Sequence, residues 1–245
     1  MDTNHSHSEK RFDFGTLQSV LSDLSHFIAI ERLGPKVTQR ICWRAPIAEN
    51  KIALTFDDGP QPIYTPRLLK ILHRFNVPAT FFMIGKHLSA NKELAKDVVE
   101  AGHEPGNHTY SHQLMFRFTN DEMTDEIRRT DDLLCNLDGQ VPRFLRPPMG
   151  LFSKRVLDVV EKENYHTVVG DVYPRDPHLP GKEKIVTRVL HRTINGSIII
   201  LHDGGNTKSV DRSQTLWAVE RIIPQLQDRG FEFVTLSGLI KSDCR

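Results

Sequence analysis

The 245-residue sequence has few cysteines, no excess charge of either sign and no long apolar run. Its three cysteines, Cys42, Cys135 and Cys244, are far apart and lack CxxC spacing, which argues against a disulfide framework and against a thiolate zinc site. The 32 Lys and Arg residues nearly cancel the 31 Asp and Glu residues, so we expect no nucleic-acid partner and no anionic membrane surface. No stretch approaches the ~18 apolar residues of a membrane span. The composition predicts a soluble globular protein.

The N-terminal part of the sequence is unlike the rest. Residues 1–11 are polar and lack the basic and apolar segments of a secretory signal, which predicts a cytoplasmic protein or one exported by an unconventional route. Apolar residues then recur at helical spacing from Thr16 to Leu33. We interpret this segment as an amphipathic helix packed on the main domain, with a partner-binding or membrane-surface helix as the alternative. Residues 1–50 are therefore assigned to a tail and helix, and residues 51–245 to the main domain.

From Lys51 onward, short apolar runs typical of strands alternate with stretches of helical periodicity. Seven strands are predicted: the run that begins at Lys51 and ends in Asp57-Asp58, then 79–84, 103–107, 144–146, 165–169, 197–201 and 231–235. The helices between them are predicted at 66–75, 91–101, 119–137, 153–163, 182–193 and 212–229, and a short strand at 41–43 precedes the barrel. This alternation favours an α/β fold with a parallel barrel. An open doubly wound sheet is the alternative, because periodicity does not reveal whether a sheet closes.

Two adjacent carboxylates stand where the first strand ends. The apolar run stops at Asp57 and Asp58, and Gly59-Pro60 follows as a strong turn signal. Because successive strand residues point to opposite faces, the two carboxylates can diverge and take different roles. A capped turn is the alternative, since Asp is common in turns.

Later strands also end in ionisable residues, where barrel enzymes carry their chemistry. After the third strand, His108 and His112 lie four residues apart, and their rings face one way if that segment turns helically. With a carboxylate they form a three-ligand site that leaves a position open for water, which is typical of a catalytic metal. His202 ends the sixth strand, with a satisfied core histidine as the alternative. Arg146 ends the fourth strand, and a cation buried there needs a carboxylate partner.

Five segments, in order, resemble the motifs of the polysaccharide deacetylases, the NodB-homology enzymes of family 4 of the carbohydrate esterases. They are Thr55-Phe56-Asp57-Asp58-Gly59, His108-x-x-x-His112, Arg146-Pro147-Pro148-Met149-Gly150, Asp176 and Ile200-Leu201-His202. The resemblance extends over roughly Lys51 to Ile240. It implies a distorted seven-stranded (β/α) barrel, similar to a TIM barrel.

The resemblance also implies a role for each motif residue. The ligands of a divalent metal, most often zinc and otherwise cobalt or nickel, would be Asp58, His108 and His112. The general base would be Asp57 and the general acid His202. Arg146 would orient Asp57. Asp176 would be the partner of Arg146, with Asp171 as the alternative partner. Met149 and Ile200 would lie on the substrate and oxyanion side.

The implied function is hydrolysis of N-acetyl groups on N-acetylglucosamine-containing glycans, of the chitin or peptidoglycan type, by attack of a metal-bound water. Two alternatives stay open: a deformylase or cyclic-amide hydrolase acting on a small molecule, and a metal-bound sugar-binding protein without catalysis. The sequence departs from the family pattern at Met149, where an aromatic residue is usual, and at Pro177, where tryptophan is usual. Both positions normally shape the acyl pocket.

Overall fold

The computed structural model describes residues 40–138, 143–206 and 210–240, so the helix predicted between Thr16 and Leu33 lies outside the described residues. The described residues form eight strands: β1 (Ile41–Cys42), β2 (Lys51–Asp57), β3 (Thr80–Met83), β4 (Glu104–Asn107), β5 (Phe144–Leu145), β6 (His166–Val168), β7 (Ile198–His202) and β8 (Glu232–Val234). The α-helices in the same residues are α1 (Thr65–Phe75), α2 (Gly85–Ala90), α3 (Lys92–Glu100), α4 (Asn120–Asp138), α5 (Lys154–Lys162), α6 (Lys182–Arg192), α7 (Ser213–Asp228) and α8 (Leu236–Leu239).

The predicted strands and helices from Lys51 onward are all present, and their bounds differ from the predictions by no more than one residue. Helix α4 begins as its sequence predicts, because Thr119 and Glu122 form a reciprocal capping box: Thr119 N donates to Glu122 Oε2 at 2.7 Å and Glu122 N donates to Thr119 Oγ1 at 3.3 Å. Short helices α2 and α8 were not predicted. Both are too short for helical periodicity to develop.

The strands form a parallel sheet in the order β1-β6-β5-β4-β3-β2-β7, and β8 pairs with the beginning of β2. Strand β1 was expected to precede the barrel, but it lies in the sheet and pairs with β6. Among the described residues the ladder of strands does not close into a ring. Two isolated bridges nevertheless join other segments to β7 and to the residue before it. Arg44, after β1, bridges to Ser197, and Val172, after β6, bridges to Ile199. This is a distorted, barrel-like α/β fold, as the sequence predicts.

Alternation along β2 and β7 places the functional side chains inside the barrel. Ile52, Leu54 and Phe56 pack in the apolar layer between sheet and helices, together with Ile199 and Leu201 of β7. The intervening residues face the interior, where Ala53 and Ile198 are packed. Asp57 and His202 are the last interior residues of their strands, and they are paired in register across the β2–β7 ladder.

Candidate active site

Asp57 is held by a buried arginine that reaches it from β5. Arg146 Nη1 lies 2.5 Å from Asp57 Oδ1 and donates to Thr55 Oγ1 at 2.8 Å. The guanidinium is 2% exposed and lies over the ring of Phe82, 4.1 Å from its centroid. The predicted contact between Arg146 and Asp57 is therefore present, and the carboxylate is fixed at one of its two oxygens.

The predicted pairing of Arg146 with Asp176 is wrong, and so is the alternative with Asp171. Asp176 Oδ1 lies 3.0 Å from His202 Nδ1, and Asp176 Oδ2 accepts from His202 N at 3.0 Å and from Thr215 Oγ1 at 2.8 Å. Asp171 instead accepts from Ile198 N at 2.9 Å and caps the β7 backbone. The reason is the path of the chain after β6, which runs along β7, where Val172 bridges to Ile199.

The pair Asp176–His202 keeps the imidazole charged. Burial lowers the pKa of His202, but the charge and hydrogen bond of Asp176, with the charges of Asp58 and Asp57, raise it overall to about 9. The imidazole therefore carries a proton at neutral pH and can deliver it, as a general acid must.

Replacing Asp176 with asparagine should move the alkaline limb of the pH profile of kcat/KM. The amide removes the largest of the charges that raise the pKa of His202, so burial offsets the remaining ones and this pKa falls toward its usual ~6.5. A general acid is active only below its pKa, so the alkaline limb should shift down by about two pH units or more. Asp171→Asn, in the same loop but bonded to the β7 backbone, is the control and should leave the limb in place. An unmoved limb in Asp176→Asn would contradict the assignment.

Asp58, His108 and His112 converge on one point. Asp58 Oδ1 lies 3.4 Å from His108 Nε2 and 3.2 Å from His112 Nε2. Ligand atoms of four-coordinate zinc, each ~2.0–2.1 Å from the ion, are about 3.3 Å apart. Asp58 Oδ1 is buried and has no hydrogen-bond partner among the described residues. The three side chains therefore fit a divalent metal ion.

The protonation states of these groups suit a metal as well. His108 Nδ1 lies 2.6 Å from the Arg146 carbonyl oxygen, so it carries the proton and leaves the Nε2 lone pair toward Asp58. Burial lowers the pKa of His112 to about 4, which makes this ring neutral at neutral pH. Burial raises the pKa of Asp58, but the neighbouring imidazoles of His108, His202 and His112 outweigh burial and hold this pKa well below its ordinary value. The site therefore offers one carboxylate and the Nε2 atoms of two imidazoles, the donor set that a divalent metal needs.

The two imidazoles do not converge through a helical turn, as the sequence suggested. Residues 108–112 form a loop in which Thr109 (φ 63°) and His112 (φ 56°) adopt left-handed backbone conformations. Thr109 N donates to Asn107 Oδ1 at 2.9 Å, and Gly85 N donates to Thr109 O at 2.9 Å. Contacts with the rest of the fold impose this backbone, so the spacing of the histidines did not reveal it.

Three residues near the site were not predicted from the sequence. Thr55 bonds Arg146 and could have been found, because it lies two residues before Asp57 on the same strand face. His87 Nδ1 lies 2.8 Å from the Asp58 carbonyl oxygen, a contact with no signal in the sequence. Asp203 accepts from Thr65 Oγ1, and burial raises the pKa of Asp203 to about 7. Gly204 follows it, and a Cβ there would meet the Asp58 carbonyl oxygen at 2.0 Å.

Met149 and Ile200, the two residues predicted on the substrate side, are close in sequence to Arg146 and His202, respectively. Met149 follows β5 in the short turn Pro148–Gly150, with φ 59° and a side chain that is 61% exposed. Ile200 lies two residues before His202 on the same face of β7, and it is 8% exposed. Their roles toward a substrate stay predictions.

A charged acid, an oriented carboxylate and a metal-ligand triad at the strand ends define a metal-dependent hydrolase. The sequence profile of the polysaccharide deacetylases matches residues 44–168. A peptidoglycan-N-acetylglucosamine deacetylase of Bacillus cereus is 38% identical over 83% of this chain and 94% of its own length. A chitooligosaccharide deacetylase of a Bradyrhizobium species is 38% identical over 77% of this chain and 90% of its own length. The crystal structure of the Bc1960 peptidoglycan N-acetylglucosamine deacetylase matches with a TM-score of 0.78 and 32% identity, covering 84% of this chain and 95% of that one. The chain belongs to the polysaccharide deacetylase family and is a carbohydrate deacetylase.

Across its described residues, no helix has the length and apolar character to cross a membrane.

Proposed function

We propose that this protein removes N-acetyl groups from N-acetylglucosamine units of a glycan, of the chitin or peptidoglycan type, with zinc as its metal. The observation that carries the proposal is the pairing of Asp57 with His202 at the mouth of the barrel, beside the Asp58, His108 and His112 triad. Two imidazoles and one carboxylate suit zinc, with cobalt or nickel as alternatives. When bound, such an ion polarises the amide carbonyl and lowers the pKa of water toward ~7.

In this proposal Asp57 acts as the general base. Its Oδ1 is held by Arg146, while its Oδ2 lies 3.9 Å from His108 Nε2, on the side of the metal ligands. The free oxygen can accept a proton from the attacking water. Arg146 restricts rotation of the carboxylate, and this keeps the accepting oxygen directed at the same point through turnover.

His202 completes the proton transfer. Its Nδ1 is engaged by Asp176, so the proton to be delivered is the one on Nε2, which passes to the departing amine. The developing oxyanion would be held by the backbone N–H of Met149. Acid and base come from neighbouring strands, so the scissile bond can lie between them.

The glycan substrate is favoured over a small amide by the names of the relatives, which are deacetylases of peptidoglycan and of chitooligosaccharide. A sugar-binding protein without catalysis is disfavoured, because binding alone would need neither an oriented Asp57 nor a charged His202. A glycosidase is disfavoured, because adjacent residues such as Asp57 and Asp58 can hardly flank a glycosidic bond with carboxyls ~5–9.5 Å apart.

The test is mass spectrometry of chitin oligomers, peptidoglycan fragments and small N-acyl or N-formyl amides after incubation with the zinc-loaded protein. We expect loss of acetyl groups from the glycans and release of acetate, and a product yield lower by about 10²-fold or more with Asp57→Asn as the control. Turnover confined to the small amides, or absent from every substrate, would contradict the proposal.

The acyl pocket should be permissive, because Met149 and Pro177 replace the aromatic residues that are usual there. The flexible Met149 side chain is mostly exposed, and Pro177 offers less apolar surface than an indole. One added methylene changes binding by only ~1–3 kcal/mol, so N-propionyl glucosamine oligomers should react within about tenfold of N-acetyl ones. The measurement compares kcat/KM for both before and after Pro177→Trp, which should favour acetyl. Rejection of propionyl by a hundredfold or more in the native protein would show that another residue closes the pocket.

A further inference from the structure

We propose that Glu126, on helix α4, is a positioning residue that fixes the metal ligand His112. The inference rests on the metal site proposed above. Glu126 lies outside the five motifs of the family, and it acts through Ser111, the residue that precedes His112 in the chain.

The two histidine ligands are oriented differently. The ring of His108 is fixed through Nδ1, which lies 2.6 Å from the Arg146 carbonyl oxygen. The Nδ1 atom of His112 is buried and has no hydrogen-bond partner among the described residues. Histidines that bind metals almost always donate their second ring N–H to a protein group or water, which fixes the ring. The described residues offer His112 no such protein group, so the direction of its ring depends on the position of its own backbone.

That backbone is held by a buried carboxylate. Ser111 N and Ser111 Oγ both donate to Glu126 Oε2, at 2.7 and 2.9 Å, and Glu126 and Ser111 are 8% and 6% exposed. Hydrogen bonds to an ionised acceptor are roughly twice as strong as neutral ones. His112 itself has a left-handed φ of 56°, a conformation that a non-glycine residue keeps only where its surroundings hold it.

Helix α4 braces the loop between the two ligands at further points. Asn107 Nδ2 donates to the Ile127 carbonyl oxygen at 3.0 Å, just before His108. The guanidinium of Arg129 lies over the ring of Tyr110, 3.6 Å from its centroid. Among these contacts, the pair Glu126–Ser111 lies nearest to His112 in the chain. It therefore transmits the position of α4 to this ligand.

The experiment compares two matched substitutions. Glu126→Met removes both hydrogen bonds and keeps the length and helix propensity of the side chain. The control is Glu104→Met. Glu104 is the first residue of β4, at the end of the strand away from the loop that carries the two histidines. Glu104 also accepts from the amide and hydroxyl of one serine, Ser237, and it accepts from Thr80 Oγ1 at 2.9 Å. Zinc affinity is measured by competition with a chromophoric chelator, and ligand geometry by the absorption spectrum of the cobalt-loaded protein.

We expect Glu126→Met to bind zinc about 10–100-fold more weakly and to change the cobalt spectrum, as loss of an outer-shell partner does. Glu104→Met should lower Tm and leave both readouts unchanged. Wild-type affinity and spectrum in Glu126→Met, or an equal loss of affinity in Glu104→Met, would overturn the role of Glu126.

A conservative variant keeps the test decisive if the methionine variant does not fold. The amide of Glu126→Gln offers a weaker acceptor to Ser111, so zinc should bind roughly three- to tenfold more weakly. Wild-type affinity in this variant would then overturn the proposal. Wild-type protein is titrated first, because failure of the unaltered protein to bind zinc refutes the metal site itself and not the role of Glu126.

Discussion

Asp57→Asn is expected to retain the metal and to lose about 10²-fold or more in kcat/KM, whereas Asp58→Asn is expected to lose the metal. Asp58 Oδ1 stands within 3.4 Å of both imidazole Nε2 atoms, and an amide oxygen there brings no negative charge to the ion. Asp57 contacts Arg146 through Oδ1, and in the proposed mechanism its other oxygen accepts the proton. The two variants should therefore differ: Asp57→Asn should lose activity and keep the metal, whereas Asp58→Asn should lose the metal itself.

This contrast is measured by elemental analysis of both purified variants, together with kcat/KM at saturating zinc. A stability control is needed, because Asp57 neutralises a buried guanidinium and removal of one partner of a buried ion pair can cost ~3–5 kcal/mol. Asparagine keeps an oxygen toward Arg146, and Tm shows whether the variant is folded at the assay temperature. Equal metal loss in the two folded variants would refute the division of roles.

Removal of the metal should abolish turnover altogether. The three proposed ligands are buried at the barrel mouth, and the described residues contain no other cluster of three potential ligands. After stripping with a strong chelator, zinc or cobalt should restore activity. Magnesium should not, because it prefers oxygen ligands and this site supplies two imidazole nitrogens.

The measurement is the deacetylation rate before stripping, after stripping and after each metal is added back, with metal content verified at every step. Full activity in a sample shown to be free of metal would contradict the proposed chemistry. Recovery with magnesium alone would contradict the assignment of His108 and His112 as ligands.

The strands, the helices and the strand-end residues of the site were predictable because they leave local marks in the sequence. Buried parallel strands are apolar runs that end at turn residues, and packed helices repeat their apolar residues at a period of 3.6. Asp57, Asp58 and His202 could be found because each stands where such a run ends. The contact between Arg146 and Asp57 followed from the resemblance, and burial of a cation at a strand end required a carboxylate of some kind.

Which groups meet was decided by the tertiary structure. Asp176 bonds His202 and not Arg146, because the loop after β6 runs along β7, and the sequence carries no local mark of that path. His108 and His112 converge through left-handed loop residues that α2 and α4 hold in place, not through a helical turn. Nothing in the sequence distinguishes Glu126 from the other polar residues of its amphipathic helix, and only the folded chain brings it into contact with Ser111. The periodicity of apolar residues predicts which side chains are buried. Which distant residues become hydrogen-bond partners depends on how the helices and strands pack.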